Sequence, residues 1–356
     1  MLMPYLLTSG NGNTSWNLYL QDEDHLSKVS VDYEIHNGSR HWFLERYKND
    51  GIQVTAGTPL LDQIFEKDGY YQQQSENKDW FNLEEFTLPA GSYFPRIYRP
   101  IFKINHDSFI YNDRRRINEI TQKISGVNDY LPFSRDLAII SISQLSLLID
   151  HLKLITKTVH PSAANLKSYG HEIRNLLIVV CTEVEAQLRG IYLANFCLPD
   201  KEKKRLSTKQ YFTLNGPMQL NRYEVTFTSF PWLGSFAPFK GWDETKPTES
   251  LSWYSRYNQT KHDRESHFEM ATLEAVFQAL AALAIILKAQ YGEAGPGWSQ
   301  IEIYVAFLKE PFWGIKDHYI PPLTTRERDS REQEEERITE PLWVPIRLSD
   351  PTISTP

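Results

Sequence analysis

Two cysteines in 356 residues cannot build a disulfide framework. Cys181 and Cys197 fall in or just after one apolar helical segment and have no zinc-ligand spacing, so a hydrophobic core in a reducing cytoplasm is expected. Positive charge is also in deficit: 38 Lys and Arg against 45 Asp and Glu give a net charge of -7. That argues against a surface that coats duplex nucleic acid, though it leaves room for a local basic cleft. Long apolar runs are absent. Ala279-Leu-Ala-Ala-Leu-Ala-Ile-Ile-Leu287 is short for a bilayer, has Glu274 upstream and reads as a core helix. With a mean hydropathy of -0.47, no membrane partner is expected. Met1-Leu-Met-Pro-Tyr-Leu-Leu-Thr8 has no basic n-region, so it is not read as a signal peptide. There is no phosphate-cradling glycine loop ending in Lys-Ser/Thr, no serine in a nucleophile elbow and no internal repeat. His171-Glu172 lacks the second histidine of a zinc-protease pair, and His262 and His267 would point to different sides of a helix. No metal and no cofactor is expected.

What remains is patterning. The length suggests about two domains, and the pattern gives an α+β fold. Residues 1–112 are expected to form a β-rich N-terminal domain: Ser15-Trp-Asn-Leu-Tyr-Leu20 places Trp16, Leu18 and Leu20 on one face, Val29 to Ile35 alternates, Asn37-Gly38 signals a turn, and His41-Trp-Phe-Leu44 resumes a strand. Residues 113–295 are expected to be helical. Asp113 can cap a helix through Arg114-Arg-Arg116 to Ile124, whose basic start reads as a solvated face. From Ser141, Leu145, Leu148, Ile149, Leu152 and Ile155 form an amphipathic stripe. A further helix should follow Pro161, break near Gly170 and reach Asn195. An insertion at about 208–248 contains the strand-like Tyr223-Glu-Val-Thr-Phe-Thr-Ser-Phe230. Helix resumes with Thr248 or Ser250 as cap, and a long helix from about Glu269 to Tyr291 ends at Gly292. Residues 296–322 are expected to form a strand-and-loop extension and 323–356 a charged, flexible tail.

The densest chemistry is Trp253-Tyr-Ser-Arg-Tyr-Asn-Gln-Thr-Lys-His-Asp-Arg264. On a continuous helix Asn258, Lys261, His262 and Glu265 share a face, and Arg256 lies about a third of a turn from His262. A neutral His262 could take the proton of a ribose 2′-hydroxyl. Arg256 and Arg264 could hold phosphate oxygens, Asn258 could orient the imidazole, and Lys261 could oppose developing negative charge. The competing reading is a solvated helix whose Arg256 and Arg264 pair with Glu183 or Glu185 of a facing helix.

These residues resemble the HEPN superfamily. Arg256-x5-His262 matches its Arg-x4–6-His signature, here set in Tyr257-Asn258-x-x-Lys261-His262-Asp263-Arg264. The order of elements is also similar: an apolar helix carrying Cys181-Thr-Glu-Val-Glu185, a variable insertion, the motif, then a closing apolar helix. The likeness covers roughly Ser141 to Gly292 without the insertion. It implies an antiparallel helical bundle that forms a homodimer and brings two motifs into one cleft. Active members are metal-independent endoribonucleases, often of toxin or antiviral defence systems. Arg256 and His262 would be the catalytic pair with Asn258 in support, and Lys261, Arg264 and Tyr257 would contact RNA. Attack of the 2′-hydroxyl would leave a cyclic phosphate. Inactive members bind nucleotides or serve assembly. In that alternative the insertion 208–248, with Phe230-Pro-Trp-Leu-Gly234, would contact a protein partner.

Overall fold

Alternation in the first ninety residues produces strands, as the pattern requires. In the computed structural model the described residues are 3–9, 17–29, 31–36, 39–46, 51–97, 134–292, 298–311, 319–320, 324–327, 344–346 and 348. The expected Asp113-capped helix, the Arg114–Arg116 run, Trp16, the Asn37-Gly38 turn and most of the charged tail lie outside them. The fold is α+β, and the described residues divide into two compact units.

The first unit holds the residues up to Tyr93, together with 319–320, 324–327 and 344–345. Strands β1 (Met3–Ser9), β2 (Asn17–Asp22), β3 (His25–Val29), β6 (Ile52–Gln53) and β7 (Phe81–Glu85) form one antiparallel sheet in the order β6-β3-β2-β1-β7. The segment Val29–Ile35, read as one strand, is shared between two sheets. Strand β4 (Val31–His36) leaves the first sheet and pairs with β5 (Ser39–Arg46). On β2, Leu18 and Leu20 are buried and so is Tyr19 between them, so both faces of that strand are covered. Tyr19 packs with Leu7, Leu26 and the helix α1 (Leu60–Lys67) through Ile64 and Phe65. Its hydroxyl donates to Asp68 at 2.9 Å. Alternation alone does not reveal this second face, because a tyrosine buries its ring while keeping a polar tip. The charged segment expected to be flexible begins as a strand: β11 (Thr324–Glu327) pairs in parallel with β5. Further on, β12 (Val344–Pro345) pairs in parallel with β8 (Ser92–Tyr93).

The second unit contains residues 94–97, 134–292 and 298–311, with 346 and 348. Helix α2 (Arg135–Thr156) starts before Ser141 because Ser134 caps it, its hydroxyl accepting from Leu137 N at 3.3 Å. Helix α3 (His171–Asn195) follows the expected interruption at Gly170. Helix α4 (Ser252–His262) carries the motif. Helix α5 (Leu273–Tyr291) begins after Thr272, whose side chain accepts from Ala275 N, and ends at Gly292 with φ 61°. That backbone region favours glycine.

Hydrogen bonds fix the helix directions. His151 of α2 lies 3.2 Å from Glu172 at the start of α3, and Ser141 near the start of α2 accepts from Gln187 late in α3 at 3.0 Å. These two helices are antiparallel. α3 and α5 instead run parallel. Their starts are joined where Leu273 N donates to Ser168 O at 2.9 Å, and their far ends where Gln290 donates to Gln187 at 3.0 Å. A parallel pair needs a crossover that returns the chain along the length of α3, about 37 Å for 25 residues. The segment read as an insertion, with α4, supplies that return and lies in the core. Phe227, Phe230 and Phe236 surround Phe277 of α5 at ring separations of 4.9, 5.7 and 5.6 Å. Strand β9 (Glu224–Phe227) pairs antiparallel with β10 (Val305–Lys309), which ties that part of the expected C-terminal extension into this same unit, while residues 319–320 belong to the first.

Both α2 and α5 are long and apolar enough to cross a membrane by length and composition, so helix length does not exclude a bilayer for α5 as the short run 279–287 suggested. Of the most apolar window of α5, 89% is buried, against 44% for α2. Gly190 on α3 has a structural duty of its own. A Cβ built there would stand 1.9 Å from the Arg96 guanidinium. Arg96, at φ 60°, lays that group across α3 and donates to Gln187 at 3.0 Å and Gln290 at 3.2 Å.

Candidate functional site

Helix α4 buries Trp253, Tyr254, Tyr257 and Thr260, one face at three-and-four spacing. The expected caps serve elsewhere: Thr248 pairs with the Thr208 hydroxyl and Ser250 accepts from Asp243 N, so the helix starts at Leu251 without a side-chain cap. It stops at Asp263 (φ -137°, ψ 83°), whose carboxylate accepts from Ser266 N at 3.1 Å and opens the short helix Arg264–His267. These backbone hydrogen bonds hold the Asp263 carboxyl below its usual range. The break removes Glu265 from the face of Asn258, Lys261 and His262.

The two motif residues separate. Arg256 Nη1 donates to Thr272 Oγ1 at 2.8 Å and lies 3.5 Å from Glu274 Oε2. Thr272 is the cap of α5 and Glu274 sits in its first turn, so the guanidinium braces the start of that helix. A cation there opposes the helix dipole, and Glu274 offsets it. His262, the last residue of α4, is exposed. Six residues of helix put it about 9 Å along the axis from Arg256 and about 120° around it. Asn258 is half-buried between them. The Arg264 side chain lies outside the described atoms.

Lys261 and Tyr257 are drawn instead to Glu185 on α3. Lys261 Nζ donates to Tyr257 Oη at 2.8 Å and lies 3.9 Å from Glu185 Oε2. Tyr257 donates to Glu185 at 3.3 Å and Tyr254 at 2.5 Å. Thus Glu185 does pair with a cation of α4, but the cation is Lys261, while Arg256 pairs with Glu274. Burial pushes both phenols up, with Glu185 adding to the effect. The hydrogen bond to Tyr257 pushes the Lys261 ammonium up. Burial also raises the Cys181 thiol beneath them, which leaves it un-ionised and inert.

The chain matches no protein-family model, and neither the curated proteins nor the solved structures contain a match. The site is therefore read from its chemistry. Glu185 with Tyr254, Tyr257 and Lys261 is a satisfied network in which each hydroxyl donates to a carboxylate and the cation sits at the rim. The sequence signal for it was the four-residue step from Tyr257 to Lys261, which puts both on one face of α4. The reach to Glu185 depends on how α3 and α4 pack. Among the described residues no three of His, Cys, Asp and Glu come together as a metal site.

Proposed function

We propose that the helical unit is a HEPN-like binding and assembly module in which the Arg-x5-His motif has been given to structure. The observation that carries this reading is the engagement of Arg256 by Thr272 and Glu274. A phosphate-holding arginine must present its donors to the ligand, and here donors of Arg256 are turned toward the cap of a core helix. The engagement of Lys261 with Tyr257 and Glu185 supports the same reading. The test is cleavage of single-stranded RNA by the full chain in the presence of a chelator. No product ending in a cyclic phosphate is expected. Cleavage that His262→Ala abolishes, while the circular dichroism spectrum is unchanged, would overturn the proposal.

One observation favours a second reading, the metal-independent endoribonuclease. His262 is exposed at the end of α4 next to the exposed Lys261, where an imidazole can reach a 2′-hydroxyl from solvent. Under that reading Arg256→Ala lowers cleavage as much as His262→Ala does. Under the assembly reading Arg256→Ala changes only stability.

A further inference from the structure

Helix α2 has two faces. Ala138, Ile142, Leu145, Leu148, Ile149, Leu152 and Ile155 are buried. The opposite line, Asp136, Ile140, Ser143, Leu147, Asp150, Leu154 and Lys157, is exposed along its whole length. Its steps alternate between four and three, the period of a seam between two helices. Ile140, Leu147 and Leu154 are seven residues apart and 66%, 64% and 59% exposed. The seam positions that alternate with them, Asp136, Ser143, Asp150 and Lys157, are all polar, with an acid at the first and a base at the last. Three large aliphatic side chains left in water at heptad spacing are what a partner helix covers.

We propose that α2 is the contact through which two copies of this chain associate, antiparallel, about a two-fold axis at Leu147. This names the partner of the assembly module proposed above and rests on that reading. The charge order selects the occupant. In the antiparallel register Leu147 meets the partner's Leu147, and Ile140 meets the partner's Leu154. Ser143 can donate to the partner's Asp150, and Asp136 faces the partner's Lys157 at both ends. A parallel pair would set Asp136 against the partner's Asp136, and Asp150 against the partner's Asp150, which repels. A bilayer would have to desolvate Asp136 and the Asp150–Lys153 ion pair, held at 2.9 Å, which a helix facing lipid does not favour. The contact is isologous, as a two-fold requires. Two helices about 33 Å long, from 22 residues each, form a small interface, so association is concentration-dependent. The motif helix α4 packs on α3 and α5, so this seam forms without contacts from α4.

The test is sedimentation of the full chain over a range of concentrations. A reversible dimer is expected, with Leu147→Asp weakening it by about a hundredfold or more, because two carboxylates would meet on the axis. Asp136→Lys should weaken it by roughly tenfold, and adding Lys157→Asp should restore it. Should Leu147→Asp fail to fold, Leu147→Cys in a Cys197→Ser background gives an independent readout, a disulfide-linked dimer on mild oxidation. Several outcomes overturn the proposal. One is a monomer at every concentration, including one that Leu147→Asp destabilises, which would show another part of the same chain on this face. Another is co-sedimentation of the monomer with phosphatidylcholine–phosphatidylglycerol vesicles. The last is a dimer unmoved by Leu147→Asp and not cross-linked on oxidation of the Leu147→Cys variant, which removes the seam but leaves the assembly reading intact. RNA cleavage dependent on His262 would remove that reading without touching the seam.

Discussion

A guanidinium is worth what surrounds it, and the chain holds two in contrasting settings. Arg256 is about one-third exposed and paired with a half-exposed Glu274, an ion pair that contributes about 1 kcal/mol or less. Arg96 has two amide carbonyls as partners and lies against the bare backbone of Gly190. The Gly190→Ala substitution therefore forces the guanidinium off both carbonyls. It should cost about 1–3 kcal/mol, the range for hydrogen bonds to a charged group. Urea titration checks this, and combining it with Arg96→Ala should make the two changes less than additive, because they remove the same contact. Loss equal to the sum of the single changes would show that the alanine methyl is tolerated beside Arg96.

Among elements, α5 organises the helical unit. Every residue from Ala279 to Ile286 is inaccessible, and Phe277 receives three phenylalanines from the crossover. Phe277→Ala should destabilise the unit by about 3–5 kcal/mol, since it opens a cavity beside the three rings that pack on it. The check is the unfolding midpoint together with near-ultraviolet circular dichroism, where the aromatic signal should fall with it. A change below about 1 kcal/mol would mean that the crossover aromatics do not depend on α5. The parallel course of α3 and α5 explains why so many aromatics lie in a segment that reads as an insertion. Without a core role Phe227, Phe236, Phe239 and Trp242 would expose apolar surface, whereas all four are buried. Of the Phe230–Gly234 run, Trp232 remains 57% exposed, but its indole N–H donates to Pro161 O at 2.6 Å.

At the scale of the whole molecule, tyrosines make stability depend on alkaline pH. Tyr254 is raised above its ordinary 10.0 by burial and then by Glu185, and Tyr257 is raised by burial despite the opposing pull of its hydrogen bonds with Lys261 and Thr182. Tyr223 is raised by burial as well. Lys261 is raised above 10.5 by its bond to Tyr257. Below these values folded and unfolded chains bind the same protons. Above them the unfolded chain releases protons that the folded chain keeps, so the stabilisation is lost as pH rises. The melting temperature should fall between about pH 9 and pH 11, and less steeply in Tyr254→Phe. A slope unchanged by that substitution would show that the phenol next to Glu185 is not held protonated.

Much of this protein is written in one dimension. The two-residue alternation around β2, the stripe of α2, the stop at Gly292 and the break at Gly170 follow from local periodicity and backbone preference, which act over a few neighbours. Those signals suffice for the α+β class and for the presence of a helix at Ser252–His262. Which charged side chain meets which carboxylate is a long-range outcome, and local spacing cannot supply it. Arg256 meets Glu274 because α4 lies against the start of α5, and Lys261 meets Glu185 because α4 crosses α3. The second covered face of Tyr19 and the parallel course of α3 and α5 have the same origin. Sequence spacing sets the side of a helix on which a residue stands, and packing alone decides what stands opposite it.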